Sequence, residues 1–189
     1  MSSDREIQEL QQQIDGLKQQ LSELRRQRPA EPISDYDLLN QDGSTVKLSD
    51  LFGEKNDLLV IHNMGKHCAY CTLWADGFNS LLPHLENRSG FVIVSPDEPS
   101  VQKEFAASRN WGFKMASAAG SSFIADLGFL TDPEGYWPGV SALHRESDGS
   151  ITRTGKDIFG PGDDYNPPWR FFDLLSGGVG DWEPQLSYQ

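Results

Sequence analysis

Two cysteines, and only two, occur among the 189 residues, as Cys68 and Cys71 in the run MGKHCAYC. A Cys-x-x-Cys pair has three readings. It can cycle between dithiol and disulfide, supply half of a metal site, or be two small buried residues without chemistry. A spacing of three places the Cβ atoms about 5–6 Å apart on one helical face. That is within reach of a disulfide after a small adjustment. The surroundings decide between the readings. Residues 58–63, LLVIHN, are a continuous apolar run, which predicts a buried strand. In residues 70–87, Leu73, Trp74, Phe78, Leu81, Leu82 and Leu85 recur at helical spacing. The pair therefore falls at a strand-to-helix junction, with the helix starting at or near Cys68.

That position has a chemical consequence. A helix N-terminus carries roughly half a positive charge and unpaired N–H groups, both of which favour a thiolate. Lys66 and His67 add positive charge just before it. Such surroundings move a thiol from about 8.5 into the ~3.5–7.5 range. Cys71 lies one turn deeper and gains less from the dipole. The expected roles are attack by Cys68 and resolution by Cys71, with Lys66 and His67 favouring the thiolate. A structural zinc would need two more ligands. His62, His67, His84 and His144 are available, but no second Cys-x-x-Cys and no His-x-x-x-His completes a set, so no metal is expected. No organic cofactor is expected either, since neither Gly-rich nucleotide motif is present. His62 sits in an apolar run and reads as a core residue, as do Trp74 and Phe78. Trp111 and Trp137 fit either core or site.

The elements that must position the pair follow from the pattern. YDLLNQDGSTVKL holds two short apolar runs around Asn40-Gln41-Asp42-Gly43 and predicts a hairpin. FVIVS, 91–95, predicts a second buried strand, and residues 99–112 a second helix. Continuous apolar strands separated by helices imply βαβ units and a parallel core. GVSALHR and SITRTG flank Glu146-Ser147-Asp148-Gly149, which predicts a late antiparallel hairpin. NPPWRFFDLL predicts a short last helix with an Asn cap. The stretch between the second helix and the late hairpin shows no clear period.

The first 29 residues are of another kind. Ile7, Leu10, Ile14, Leu17, Leu21 and Leu24 are spaced 3, 4, 3, 4, 3 on an otherwise polar helix. With Ile or Leu at a and Leu at d, this heptad seam favours a parallel two-stranded coil, so a homodimer through residues 3–27 is expected. Packing of the seam on the chain's own domain is the other possibility. The expected organisation is a coiled-coil helix over 1–29, a globular domain over 30–176 and a loop tail over 177–189. The formal net charge is −12, and residues 1–29 hold five acids and five bases, so the excess lies on the domain. An acidic domain repels phosphate backbones, which argues against nucleic-acid partners. No apolar run of 18 or more residues and no secretory signal are seen, so no membrane span is expected. A cytoplasmic setting follows, in which a lone cysteine pair is more often catalytic or metal-binding than structural.

The order of elements, with Cys-x-x-Cys at a helix start, resembles the thioredoxin fold. DGSTVKLSDLFGEKNDLLVIH is similar to the opening of the alkyl hydroperoxide reductase and thiol-specific antioxidant group, which includes peroxiredoxins. The blocks CTLWADGFNSLLPHL, FVIVS, NWGFKMASAAGSSFIADLGF and GVSALHR resemble a bacterial thioredoxin-like family known as a domain of unknown function. The resemblance covers roughly residues 33–155. It implies an α/β thioredoxin-like domain with a central mixed sheet flanked by helices, to which the N-terminal coiled-coil helix is added. It also implies a thiol–disulfide oxidoreductase acting on a protein or low-molecular-weight thiol or disulfide. The alternatives are a peroxiredoxin-like thiol peroxidase and a non-catalytic scaffold dimerised by the coil. Several positions depart from these relatives. Ala69-Tyr70 replaces the Gly-Pro of thioredoxins, and His67 stands where they carry Trp. Val140 or Ser141 stands in place of their cis-proline. Gly65 occupies the peroxiredoxin Thr/Ser position, and Arg145 is the candidate for their arginine.

Overall fold

In the computed structural model, residues 2–131 and 135–188 are described, except for the side chain of Ser2. The apolar run before the cysteines forms β4 (Asp57–His62), at the heart of the sheet. It pairs in parallel with β5 (Gly90–Ser95) and antiparallel with β7 (Gly139–Arg145). Further strands are β1 (Glu31–Ile33), β2 (Asp37–Asn40), β3 (Thr45–Lys47), β6 (Lys114–Ser117) and β8 (Ile151–Ile158). Among the described residues they form one eight-stranded mixed sheet in the order β1-β8-β7-β4-β5-β6-β2-β3. The helices are α1 (Ser2–Gln27), α2 (Ala69–Arg88), α3 (Pro99–Ser108), α4 (Phe123–Asp126) and α5 (Pro168–Phe172). A 3-10 turn covers Leu48–Phe52.

Residues 58–61 of β4 and 91–94 of β5 are continuously apolar because both faces are covered. Leu58, Val60, Val92 and Val94 join Leu38, Phe123, Leu127 and Phe129 in one core. Ile61, Phe91 and Ile93 join Trp74, Ala75, Phe78, Phe159 and Trp169 in the other, beneath α2. The expected hairpins form at both places, β2 with β3 and β7 with β8. Gly43 turns the first with φ +84.

Four features differ from the sequence reading. The stretch without a period contains β6 and α4, each of four residues, so neither is long enough to reveal its repeat. β1 adds an edge strand to β8; its three residues are too few to read. The second helix stops at Ser108 instead of running to 112. Asn110 adopts φ +55, and the Trp111 and Asn110 amides return to Ala106 O (3.0 Å) and Ala107 O (3.3 Å). That is a Schellman stop with Asn in the glycine position. Last, Asn166 does not cap the final helix, which starts at Pro168 behind Pro167. Its buried amide donates to Leu73 O on α2 at 2.8 Å instead. Gly77 permits this approach, because a Cβ there would meet Asn166 Nδ2 at 3.2 Å.

Among the described residues the segment after α5 forms no helix or strand, but it is packed. Trp182 lies edge-on to Phe172 and Trp169, with centroids 4.7 and 6.5 Å away. α1 ends before Pro29, and the six seam residues are 45–65% exposed. Among the described residues, no helix is long and apolar enough to cross a membrane.

Candidate active site

The site is built where β4 ends and α2 begins. Cys68 is the N-cap residue of α2: its backbone is extended, and its Sγ accepts the Cys71 N–H at 3.0 Å. Sulfur thus takes the place that a Ser or Asp oxygen usually fills at a helix start. Cys71 is buried, and its Sγ accepts the Met64 N–H at 3.4 Å. Both thiols are unbridged.

These contacts split the pair electrostatically. The Cys68 thiol is pulled down to about 7, first by the Cys71 side chain and then by the Cys71 and Tyr70 amides, against the opposing cost of burial. The Cys71 thiol is pushed well up, first by its contact with Cys68, then by burial and the neighbouring thiolate charge. The expected lowering of Cys68 therefore exists, but its source is the partner thiol and the helix amides. The charges of Lys66 and His67 are not among its causes. Lys66 is half-buried and His67 is exposed, in the turn just before Cys68.

That turn is held by two side chains. Asn63 Oδ1 accepts the Gly65 N–H at 2.8 Å, and Asp97 Oδ2 accepts the Lys66 N–H at 2.8 Å. Gly65 has φ +108, and a Cβ on it would lie 2.9 Å from Asp97 Oδ1. Only glycine suits both the backbone and the space. Asp97, just beyond β5, was not singled out from the sequence; an isolated Asp after a strand carries no local signal. Replacing Asp97 with Ala is expected to speed amide exchange at Lys66 and lower stability by about 1–3 kcal/mol. Asp97→Asn, which keeps an acceptor, is expected to lose less. Exchange measured by NMR checks this, and an unchanged Lys66 amide would refute the clamp.

An aromatic wall stands beside the pair. Tyr70 lies parallel to Trp169 with centroids 6.4 Å apart, and Trp74 packs between Trp169 and Phe159. Burial, with the charge of Glu183, raises the Tyr70 hydroxyl pKa. The C-terminal segment is thus part of the site's surroundings.

The remaining candidates are placed elsewhere. His62 is buried in the core, as expected, stacked on Phe129 at 3.7 Å with Nε2 3.0 Å from Ser141 Oγ. Among the described residues its Nδ1 has no hydrogen-bond partner, so it is a core histidine satisfied on one side only. His144 Nδ1 bonds Asp57 at the far end of β4. Arg145 donates to Gly53 O and Lys55 O at that same far end, so it cannot serve the cysteines. Pro138 directly precedes β7, and Val140 and Ser141 lie inside it. Among the described residues no group of three or more His, Cys, Asp or Glu side chains gathers to hold a metal.

A mixed sheet flanked by helices, with Cys-x-x-Cys at the start of the helix after the central strand, defines a thioredoxin-like α/β fold. Among solved structures, peroxidoxin BcpB from Mycobacterium tuberculosis is similar at 19% identity and a TM-score of 0.57, covering 73% of this chain and 88% of that one. Peroxiredoxin Q from Xanthomonas campestris is similar at 18% identity and 0.56, covering 65% and 79%. A peroxiredoxin-like protein from Aquifex aeolicus is similar at 18% and 0.54, covering 68% and 74%. At such identities the likeness establishes the fold alone. The chain belongs to the family described as bacterial protein of unknown function (DUF899), which it matches over residues 5–184. No curated protein matches it.

Proposed function

We propose that this protein is a thiol–disulfide oxidoreductase in which Cys68 attacks and Cys71 resolves. One observation carries the reading: the Cys68 sulfur caps α2 beside Cys71, whose side chain first and whose amide, at 3.0 Å, second pull the Cys68 thiol down to about 7. Near neutral pH about half of Cys68 is then thiolate, the reactive form. The thiolate attacks one sulfur of a substrate disulfide, forming a mixed disulfide and releasing the other sulfur as a thiolate that takes a proton from water. Cys71 then loses its proton and attacks Cys68 Sγ. The Cys68–Cys71 disulfide forms, and the second substrate thiol leaves. Two electrons have passed from the protein to the substrate, and an external thiol restores the dithiol.

The raised Cys71 thiol orders these steps. Its largest cause is contact with Cys68, and the thiolate charge of Cys68 adds to it. Both vanish once Cys68 is tied in the mixed disulfide. Burial and the Met64 amide then remain, and they act in opposite directions. Cys71 is held back until it is needed. In this reading Lys66 and His67, in the turn just before Cys68, flank the approach of the substrate. The partner is a protein or low-molecular-weight disulfide, and the setting is the cytoplasm.

A trap tests this. Cys71→Ser exposed to oxidised glutathione is expected to gain one glutathione by mass, reversibly with dithiothreitol. Adding Cys68→Ser is expected to abolish the adduct. No adduct on Cys71→Ser, or an adduct that survives the second change, would overturn the assignment.

A thiol peroxidase is the second reading, favoured by the likeness to peroxiredoxin folds. Cys68 would take an oxygen from a peroxide as sulfenic acid and release the alcohol, and Cys71 would condense with it to release water. The glycine at residue 65 and the remote Arg145 weigh against it. Peroxide consumption lost in Cys68→Ser would support it; none in the reduced protein would exclude it.

A further inference from the structure

We infer that α1 is an interaction surface for a second copy of this chain, pairing in parallel through its Ile/Leu seam; the inference is independent of the redox reading. Six apolar side chains, Ile7, Leu10, Ile14, Leu17, Leu21 and Leu24, line one side of a helix about 39 Å long. All are 45–65% exposed. A continuous apolar stripe of this kind marks an interface.

The way α1 meets its own domain says which surface remains for a partner. Lys18 bonds Asp164 at 2.9 Å, and Arg25 bonds Asp157, which also accepts the Tyr165 hydroxyl at 2.8 Å. Lys18 and Arg25 are one heptad apart, both at position e. The domain therefore latches the helix along one polar edge and leaves the a/d face bare. The latch makes no use of the seam.

The bare face is self-complementary. Position a holds Ile7, Ile14 and Leu21, and position d holds Leu10, Leu17 and Leu24. β-branched residues at a with Leu at d favour two parallel strands. In that pairing, position g of one chain meets e of the other five residues on. Glu6 then faces Gln11, Gln13 faces Lys18, and Gln20 faces Arg25, so no like charges meet. The two domains, each latched on its own e edge, would flank the coil.

A rival occupant exists within the chain. An apolar cavity of about 330 Å³ lies on the sheet face beside α1, lined by Leu59, Ile61, Phe78, Val140 and Phe159, with Arg25 at its mouth. If α1 rolled on its axis, its seam could settle there, and the protein would be a monomer.

Sedimentation of the full chain separates the two. The expected mass is twice 21.1 kDa. Leu17→Lys is expected to halve it, with the domain's unfolding transition retained. A full chain that sediments as a monomer, a trimer, or a dimer indifferent to Leu17→Lys would overturn the inference. Orientation is read from Leu10→Cys in a chain also carrying Cys68→Ser and Cys71→Ser. Parallel pairing is expected to give a disulfide-linked dimer on mild oxidation. A dimer that never cross-links there would overturn the parallel arrangement.

Discussion

Alkylation of Cys68 by iodoacetamide in the reduced protein is expected to rise to a plateau through a midpoint near pH 7. The direction follows from the charge: a lowered thiol pKa means thiolate above the midpoint and inert thiol below it. Two variants separate the causes. Cys71→Ala removes the side-chain contact that lowers Cys68 most, so its midpoint is expected to rise. Cys71→Ser keeps a donor and is expected to rise less. Lys66→Ala and His67→Ala are expected to leave the midpoint near the parent's, because neither charge is among the causes of the lowering. Cys68→Ser is expected to lose disulfide reduction by a factor of about 10⁴ or more, the scale of removing a nucleophile. A midpoint at the ordinary cysteine value would sink the oxidoreductase reading, since the helix cap would then have no electrostatic effect.

The second large effect concerns stability. Burial, aided by the positive charges of Arg153 and Lys156, holds the His62 imidazole neutral down to about pH 3. In an unfolded chain a histidine takes its proton near pH 6.5. Between these values the unfolded chain binds one more proton than the folded one, so stability rises with pH. Stability is therefore lost as the pH falls through that window, at about 1.4 kcal/mol per pH unit from this residue. Urea unfolding at about pH 6 and about pH 4 reads the slope. His62→Gln, which keeps a polar group near Ser141, is expected to flatten it by about that amount. Equal slopes would show that His62 gains a proton in the fold, through the unpartnered Nδ1.

The two predictions illustrate unequal legibility. The place of Cys68 at the helix start was readable locally: an apolar strand, a three-residue spacing and a helical period fix the junction within a residue or two. The isolation of His62 was readable only as burial. Its partner Ser141 is 79 residues away, and Phe129 arrives from a stretch with no period. The electrostatics of the site were half legible. The helix start was visible. The counterweight was not, because Cys71's burial and the Met64 amide depend on how the turn is held. Asp97, which holds it, comes from the end of the neighbouring strand, 31 residues from Lys66.

By itself, then, the sequence determined what repeats within a few residues: the continuous strands β4 and β5, the helix that begins at the cysteines, both hairpins and the heptad seam. Each depends on neighbours along the chain, whose spacing is covalent. Only the tertiary structure decided the contacts that close over long separations. Asn166 reaches across 93 residues to α2 rather than capping its own helix. Trp182 ties a glycine-rich tail to Trp169 and, through it, to Tyr70 between the cysteines. Arg145 is carried by strand direction to the end of the sheet away from them. Such placements follow from which strand lies beside which, and local spacing carries no record of that.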